Sequence, residues 1–576
     1  MPENRLSSLM KEGKLLPWAA GLLVLAGAVG AALILSRPDG EFALPAGFTV
    51  TTGEDSGVLG VTRREREEAS LGELIAATVG TEGDFQASIA ILPFENRTGD
   101  ALFDTLGSGM VDELNARLSR IRGLKVISRQ SVQELDGLGL TVPQIADTLN
   151  VDHVLQGTAI PHQGDARILV RLLQAQEEVE LWRNDYGVDR RNRMRAVEEI
   201  SDEVGAALLE EVPALSLRGP FRATDSPGYV LYVAGNRLLN TRTREGLIRS
   251  LVAFREAIDA DSTFAPAFAG LSSAYALSIT YRYDLGMDAY SAAGFALKAA
   301  SEAIRLDPNL AEGYAARGYI ASLSLAPAHL VHQDFAKALE LQPNAPNVAA
   351  WYANLLIREG YYDQALAEAQ RAVDLDPLSP ARRTGLAFEA LRARDYRLAV
   401  DQARAAVSLE AGVVLPRSIQ ALALLLSGRA EECLDLDLGP HAGIRALCLH
   451  ALGRVGQAVT VADSLRAVLL SGGLTSSGFT NVVAAGDLAA FLAWTGEPER
   501  AMPWIHRAYA LSPSGVDSRV LESGVFDRLL ANGEMRREVA SIRERVWPRV
   551  QREMAEVGIL AGGSGQRQVL QGSFPH

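Results

Sequence analysis

The chain has 576 residues, of which 48% are hydrophobic, 22% charged and 6% aromatic, and its formal net charge is −14. That length exceeds a single hydrophobic core, so two or three folded units are expected. The acidic balance excludes the broad basic face that neutralises nucleic-acid phosphates. Two cysteines, Cys433 and Cys448, are too few for a disulfide framework or a four-ligand zinc site.

Residues 15–35, LLPWAAGLLVLAGAVGAALIL, carry no charge and are long enough to cross a bilayer as a helix. Arg5, Lys11 and Lys14 precede the run and only Arg37 follows closely, so the positive-inside rule leaves residues 1–14 as a cytoplasmic stub and exports the rest. A signal peptide cleaved near Ala28-Val29-Gly30 is the competing reading. The run continues through Leu33, Ile34 and Leu35, which favours an uncleaved transmembrane helix over 15–36. The expected place is therefore a bacterial inner membrane, single-pass, with the bulk of the chain in the periplasm. Residues 37–84, rich in Gly, Thr and acidic side chains, read as a linker holding at most a short charged helix over 63–77.

At Ser88 the pattern changes. Residues 88–94 form a short apolar run that reads as a buried strand, followed by loop chemistry over 95–100. Leu102, Leu106, Met110, Leu114 and Leu118 recur at helical spacing. A second strand is expected over 124–128, helices over 131–135 and 142–149, strands over 151–160, 166–174 and 179–186, and a helix over 194–212. The dense arginines at 190, 191, 193 and 195 run at once into Glu198, Glu199, Asp202 and Glu203 and read as a solvated helix start. The order predicts an α/β domain over 85–215 with helices covering a mixed sheet.

ILPFEN at 91–96, LSRIRGLKVISR at 118–129, LNVDHVLQGTA at 149–159 and the stretch from Leu181-Trp182 to Ile200 resemble the TolB amino-terminal-like domain. The resemblance implies a setting in bacterial membrane proteins where this domain precedes helical repeats, often behind a kinase, cyclase or winged-helix effector domain. The short stretch before the apolar run leaves no room for such an effector. The resemblance brings no catalytic residue.

From residue 227 the chain repeats itself. Ala303-Ile304-Arg305-Leu306-Asp307-Pro308 is echoed at 338–343, 372–377 and 508–513, with a degenerate copy at 257–262. Gly360-Tyr361-Tyr362-Asp363-Gln364-Ala365 returns at 394–399 and 428–433, and at irregular steps at 453–458 and 496–501. These features match the tetratricopeptide (TPR) family, in which glycine turns the chain between two helices, a small residue lets the pair close, and proline ends the unit. Seven or eight units are expected over 227–515, stacked as a superhelical solenoid. Capping helices are expected over 516–560 and a disordered tail over 561–576. The aromatics near Tyr281–Tyr290 mark an insertion for which local packing is expected rather than a binding site.

No phosphate-binding glycine loop or kinase signature is present. Gly107-Ser108-Gly109 falls inside a helix and points to close packing. His329 and His332 lack a third metal ligand, and His153 and His162 read as local hydrogen-bonding groups. Cys433 occupies the small-residue position of Ala365 and Ala399, so packing is its expected role, with a Cys433–Cys448 disulfide as the alternative. No cofactor, metal or catalytic residue is expected, and the chain is read as a non-enzyme. The function expected is a membrane-anchored, extracytoplasmic scaffold that binds a protein or peptide, with Asn347, Ala350, Asn354 and Arg358 facing the groove. The alternative is a ligand-sensing protein that signals to a separate effector.

Overall fold

The computed structural model describes Ile75 and residues 85–556 apart from 100–101, 163–164, 189–192, 213–214, 216–225, 284, 412–413, 439–440, 471–477 and 516–520. All of these lie in one compact unit, Leu74–His576. The fold class is corrected on one point. Among the described residues no helix is long and apolar enough to cross a membrane. The described residues thus form an α/β domain and a helical array, and the expected transmembrane helix is not among them. The run 15–36 that suggested one, the stub 1–14 and the tail 561–576 fall outside the described residues, and of the linker 37–84 only Ile75 is described.

The α/β domain follows the expected order with one addition. Its elements are β1 (Ala87–Ile91), β2 (Glu95–Asn96), α1 (Leu102–Leu118), β3 (Leu124–Val126), α2 (Arg129–Gln133), α3 (Val142–Leu149), β4 (His153–His162), β5 (Asp165–Gln174), β6 (Val179–Val188) and α4 (Arg193–Glu211). The sheet order is β3-β1-β4-β5-β6, with β2 pairing β4. β1 runs parallel to β3 and β4, in register Ile89↔Val126 and Ile91↔Leu155, while β5 and β6 are antiparallel additions. Glu95 and Asn96, expected as loop, align with Thr158 and Ala159 of β4 instead.

Because β1 is covered on both faces, all five of its residues are buried. Ile89 and Ile91 join one core with Leu114, Leu118, Ile200 and Val204, while Ala90 joins a second with Val132, Ala146 and Leu149. That alternation is the two-residue period of an extended strand. α3 is closed at its start by a capping box between Thr141 and Gln144 and at its end by Asn150 in the left-handed region. Gly157 admits the Phe94 ring over β4, since a Cβ at 157 would fall 2.4 Å from that ring.

The array consists of eight helix pairs among the described residues. The pairs are α5 (Tyr229–Asn240) with α6 (Arg244–Ala260), α7 (Ala265–Tyr281) with α8 (Ala289–Leu306), α9 (Ala311–Leu323) with α10 (Ala328–Leu341), and α11 (Pro346–Arg358) with α12 (Tyr362–Leu375). They continue as α13 (Pro380–Arg392) with α14 (Tyr396–Leu409), α15 (Val414–Leu426) with α16 (Ala430–Leu434), α17 (Ala442–Ala451) with α18 (Val455–Leu470), and α19 (Gly478–Thr495) with α20 (Pro498–Leu511). First helices α9, α11, α13 and α15 begin 35, 34 and 34 residues apart. The paired helices and their spacing are TPR-like. Ala365, Ala399 and Cys433 are all fully buried at equivalent positions. Cys433 does more than fill space: it is disulfide-bonded to Cys448, with the two Cα atoms 6.4 Å apart.

Beyond α20 the chain turns back. α21 (Asp527–Ala531) and α22 (Gly533–Glu544) lie near α19 and α20, whereas α23 (Val546–Glu556) packs along α8. Gly294 permits that approach, since a Cβ there would sit 2.8 Å from the Met554 nitrogen. The Arg549 guanidinium lies 3.6 Å from the centre of the Tyr290 ring. On the way, Glu522 accepts from Arg392 Nε at 2.7 Å and Tyr396 donates to the Ser523 carbonyl at 3.2 Å.

The α/β domain is seated on loops that join one repeat to the next. The Asn344 amide donates to the carbonyls of Leu124 (2.5 Å) and Ser119 (3.1 Å). Ser131 donates to Asp376 at 2.7 Å and accepts from the Leu378 amide at 3.0 Å, while Leu378 itself packs against the second core.

Candidate partner-binding cavity

Seating the α/β domain on those loops encloses a cavity of about 1920 Å³ against the first five repeats. One side comes from α1 and α2, through Asp112, Glu113, Arg129 and Gln130, and from Arg120 in the turn after α1. The other comes from α5, through Tyr229, Tyr232 and Asn236, and from the loops and first turns that lead into α7, α9, α11 and α13. Its volume exceeds the ~300–1,000 Å³ typical of small-molecule sites. Tyr232 anchors the apolar part, edge-on to Phe264 at 5.5 Å and tilted against Phe254 at 6.0 Å.

The lining is acidic, with eight carboxylates (Asp112, Glu113, Glu134, Asp261, Asp307, Glu312, Asp376, Glu410) against four guanidiniums (Arg120, Arg129, Arg237, Arg382). Some charges are neutralised in place. Asp112 pairs with Arg129, and Glu113 lies 3.4 Å from Arg117. Burial pushes the Glu113 carboxyl up to about 7 despite that partner, and burial likewise raises Asp112. Glu312, in the first turn of α9, opens to solvent in the cavity yet is hemmed in by protein, and desolvation raises its pKa as well.

Comparisons with known proteins cover parts of this arrangement. Residues 85–203 match the family described as HilA/YgeH-like transcriptional regulator, second domain. The stretch that resembles the TolB amino-terminal-like domain in sequence is therefore matched under a different family description. A curated relative, the "Putative adenylate cyclase 3" of Rhizobium meliloti (strain 1021), is 26% identical over 171 residues, 29% of this chain and 28% of that protein. The match thus spans under a third of the relative's length. Among solved structures, lipoprotein GNA1162 from Neisseria meningitidis (19% identity, TM-score 0.17) overlaps 21% of this chain and 99% of its own. YrrB, a TPR protein with an unusual peptide-binding site (17%, TM-score 0.21), overlaps 37% and 94%. Pseudomonas aeruginosa pilF (16%, TM-score 0.28) overlaps 36% and 92%. At these scores the likenesses add nothing to the geometry above.

Of the four residues expected to face the groove, Asn347 lines the cavity and accepts from Arg382 Nη2. Ala350 is half-buried and is not part of that lining. Asn354 donates to Glu389 at 3.3 Å, and Arg358 donates to the Ser322 carbonyl at 2.7 Å and to Glu359 at 3.0 Å. These bonds tie successive first helices together, so the middle of the groove is knitted by its own side chains. Glu522 continues that network through Arg392 and Arg543. Tyr229, Tyr232, Glu312 and Arg382 are the cavity residues that sequence reasoning missed. Their roles depend on the α/β domain folding over them, which no local signal announces.

The other candidates resolve into structure. Tyr281 stacks on Tyr283 at 5.8 Å, Tyr283 donates to the Arg242 carbonyl at 2.8 Å, and Tyr290 donates to the Tyr509 carbonyl at 2.6 Å. His332 is buried against the Tyr352 hydroxyl with its pKa pushed down to about 4 by burial, while His329 is exposed. His153 meets the Ser88 carbonyl at 3.1 Å. Among the described residues no group of three or more His, Cys, Asp or Glu side chains is arranged to hold a metal ion.

Proposed function

We propose that this protein is a non-catalytic scaffold that holds a segment of a partner polypeptide in the cavity between its α/β domain and the first five TPR units. The observation that carries the reading is the cavity itself: larger than a small-molecule site, aromatic at one side and lined by unequal charge. An extended chain can place side chains in the apolar part and bond its backbone to Asn236, Asn347 and the loop residues between repeats. The scaffold works outside the cytoplasm. The Cys433–Cys448 disulfide supports this, because such bonds persist in oxidising compartments. So does the apolar run of residues 15–35 behind Arg5, Lys11 and Lys14, the pattern that export machinery reads.

The test is photo-crosslinking in cells, with a benzophenone side chain placed at Asn236 inside the cavity or at Tyr362, exposed on α12. Discrete protein adducts from position 236 and none from 362 are expected. Adducts from 362 alone would move the binding surface to the outside of the array. Thiol labelling of Cys433 and Cys448, both buried in the fold and so probed after acid quench and denaturation, reads the compartment: no labelling until reductant is added is expected, and labelling without reductant would refute an oxidising location.

A further inference from the structure

The sheet of the α/β domain ends at β3 on one side and at β6 on the other. The β3 edge is three residues long, and the Asn344 amide of the array already takes its Leu124 carbonyl. The β6 edge is ten residues long, carries no proline and, among the described residues, has no strand beyond it. Native sheets blunt such edges with prolines, bulges or a cover, because a row of unmet backbone groups recruits another strand. The one register shift between β5 and β6 falls at Leu172/Leu173, so the stretch from Trp182 to Val188 is regular. Within it Arg183, Asn184 and Asp185 are exposed.

Alternate residues of a strand turn their N–H and C=O to opposite sides. The Ala175 amide donates to the Asp152 carbonyl at 2.8 Å, and in the β4–β5 register that direction recurs at Leu173, Arg171, Leu169 and Arg167. The residues between them, Leu172, Val170 and Ile168, therefore turn to β6 and meet Trp182, Asn184 and Tyr186. The main chain of Arg183 and of Asp185 is left facing outward. The Asp185 N–H agrees with this, since it is met at 2.8 Å by the side-chain oxygen of its neighbour Asn184. Two residues apart on one strand, the Arg183 and Asp185 side chains share a face and carry opposite charge.

We propose that β6 pairs antiparallel with β6 of a second copy of this chain, about a two-fold axis at Asn184. Each Arg183 then stands opposite Asp185 of the second copy, exchanging two main-chain bonds and setting opposite charges side by side. The charges choose the register. Moving the axis to residue 183 would oppose Arg183 to its own copy, and moving it to 185 would oppose two Asp185 carboxylates. A foreign strand would need the same charges in reverse order, whereas a second copy supplies them by symmetry. The present partners of these side chains compete little: Arg183 is 3.6 Å from Glu180 and 72% exposed, and Asp185 meets Arg167 at 2.7 Å with 39% of its side chain open. Pairing also replaces the local bond from the Asp185 N–H to Asn184 with a main-chain bond. The inference is independent of the cavity reading, and a pair so formed carries two cavities.

The experiment is sedimentation velocity on the purified full chain across the micromolar range, in mild detergent because of the apolar run of residues 15–35. The wild-type chain is expected to dimerise. Arg183→Asp and Asp185→Arg should each weaken the dimer about tenfold or more, since each makes two cross-strand pairs like-charged, and the double reversal should restore it. Asn184→Cys should give an interchain disulfide on mild oxidation, because the two residues at the axis form a non-hydrogen-bonded pair with Cα atoms about 4.5 Å apart. Arg171→Cys, exposed on β5, should give none. The native cysteines do not compete, being joined to each other. A chain that stays monomeric throughout, or a dimer that survives both single reversals, would overturn the proposal. So would a dimer lost in the single variants and not recovered in the double one. A monomeric chain that yields adducts to a different protein from a benzophenone at position 184 in cells would give the edge to a foreign strand and sink the second-copy assignment.

Discussion

Gly360 turns the chain between α11 and α12 at φ +86°, with nothing near the place a Cβ would occupy. Gly360→Ala therefore isolates conformational strain, and a loss of about 1 kcal/mol in denaturant titration is expected, with peptide binding unchanged. Thirty-four residues on, Arg394 makes the same turn at φ +65°, paired with Asp527 at 2.8 Å. That ion pair is exposed and weakly stabilising. Glu113 offers a pH test. Below about pH 4.5 it is protonated folded or unfolded; between there and about 7 the folded state keeps a proton that the unfolded chain has released. Stability from this group thus falls as pH rises across that window, by up to about 3 kcal/mol. Glu113→Gln should raise the melting temperature at pH 8 and leave it nearly unchanged at pH 4; equal effects at both would place the titration elsewhere.

At the scale of elements, the disulfide closes a span of 15 residues between α16 and α17. Reduction should cost roughly 3 kcal/mol by the loop-closure relation, read as faster hydrogen exchange in α16 and α17 under reductant. The repeat elements were legible because their signals are local: a left-handed glycine, a buried alanine, a terminal proline, each recurring near 34 residues. The span of α3 is legible at 142–149 for the same reason, though the capping box of Thr141 and Gln144 that starts it is not part of that expectation. β2 was missed because two residues owe their strand to pairing with Thr158 and Ala159, far along the chain. The disulfide is harder to read because Cys433 sits where a small packing residue suffices, and its partner lies across a helix boundary. The candidate site was the least legible. Asn347 follows the helical register, but Arg358 and Asn354 are taken by Ser322 and Glu389 one repeat away, and the α1 and α2 residues enter only through tertiary seating.

For the unit as a whole, the cavity exists only while the α/β domain stays seated. Asn344 holds two carbonyls of that domain, and Asn344→Ala should cost about 1–3 kcal/mol by leaving them unmet. Peptide affinity should fall while helix content persists; unaltered affinity would show that the array binds alone. The contact of α23 with α8 reaches further. Open solenoids gain and lose units freely, because each unit touches only its neighbours. Here residues near 294 meet residues near 554, so any unit added or deleted between them would shift α23 off the place where Gly294 receives it. The number of repeats has become a fixed dimension of the molecule. Unit duplication, the ordinary route by which such arrays diversify, is open to this chain only if the returning helix changes with it.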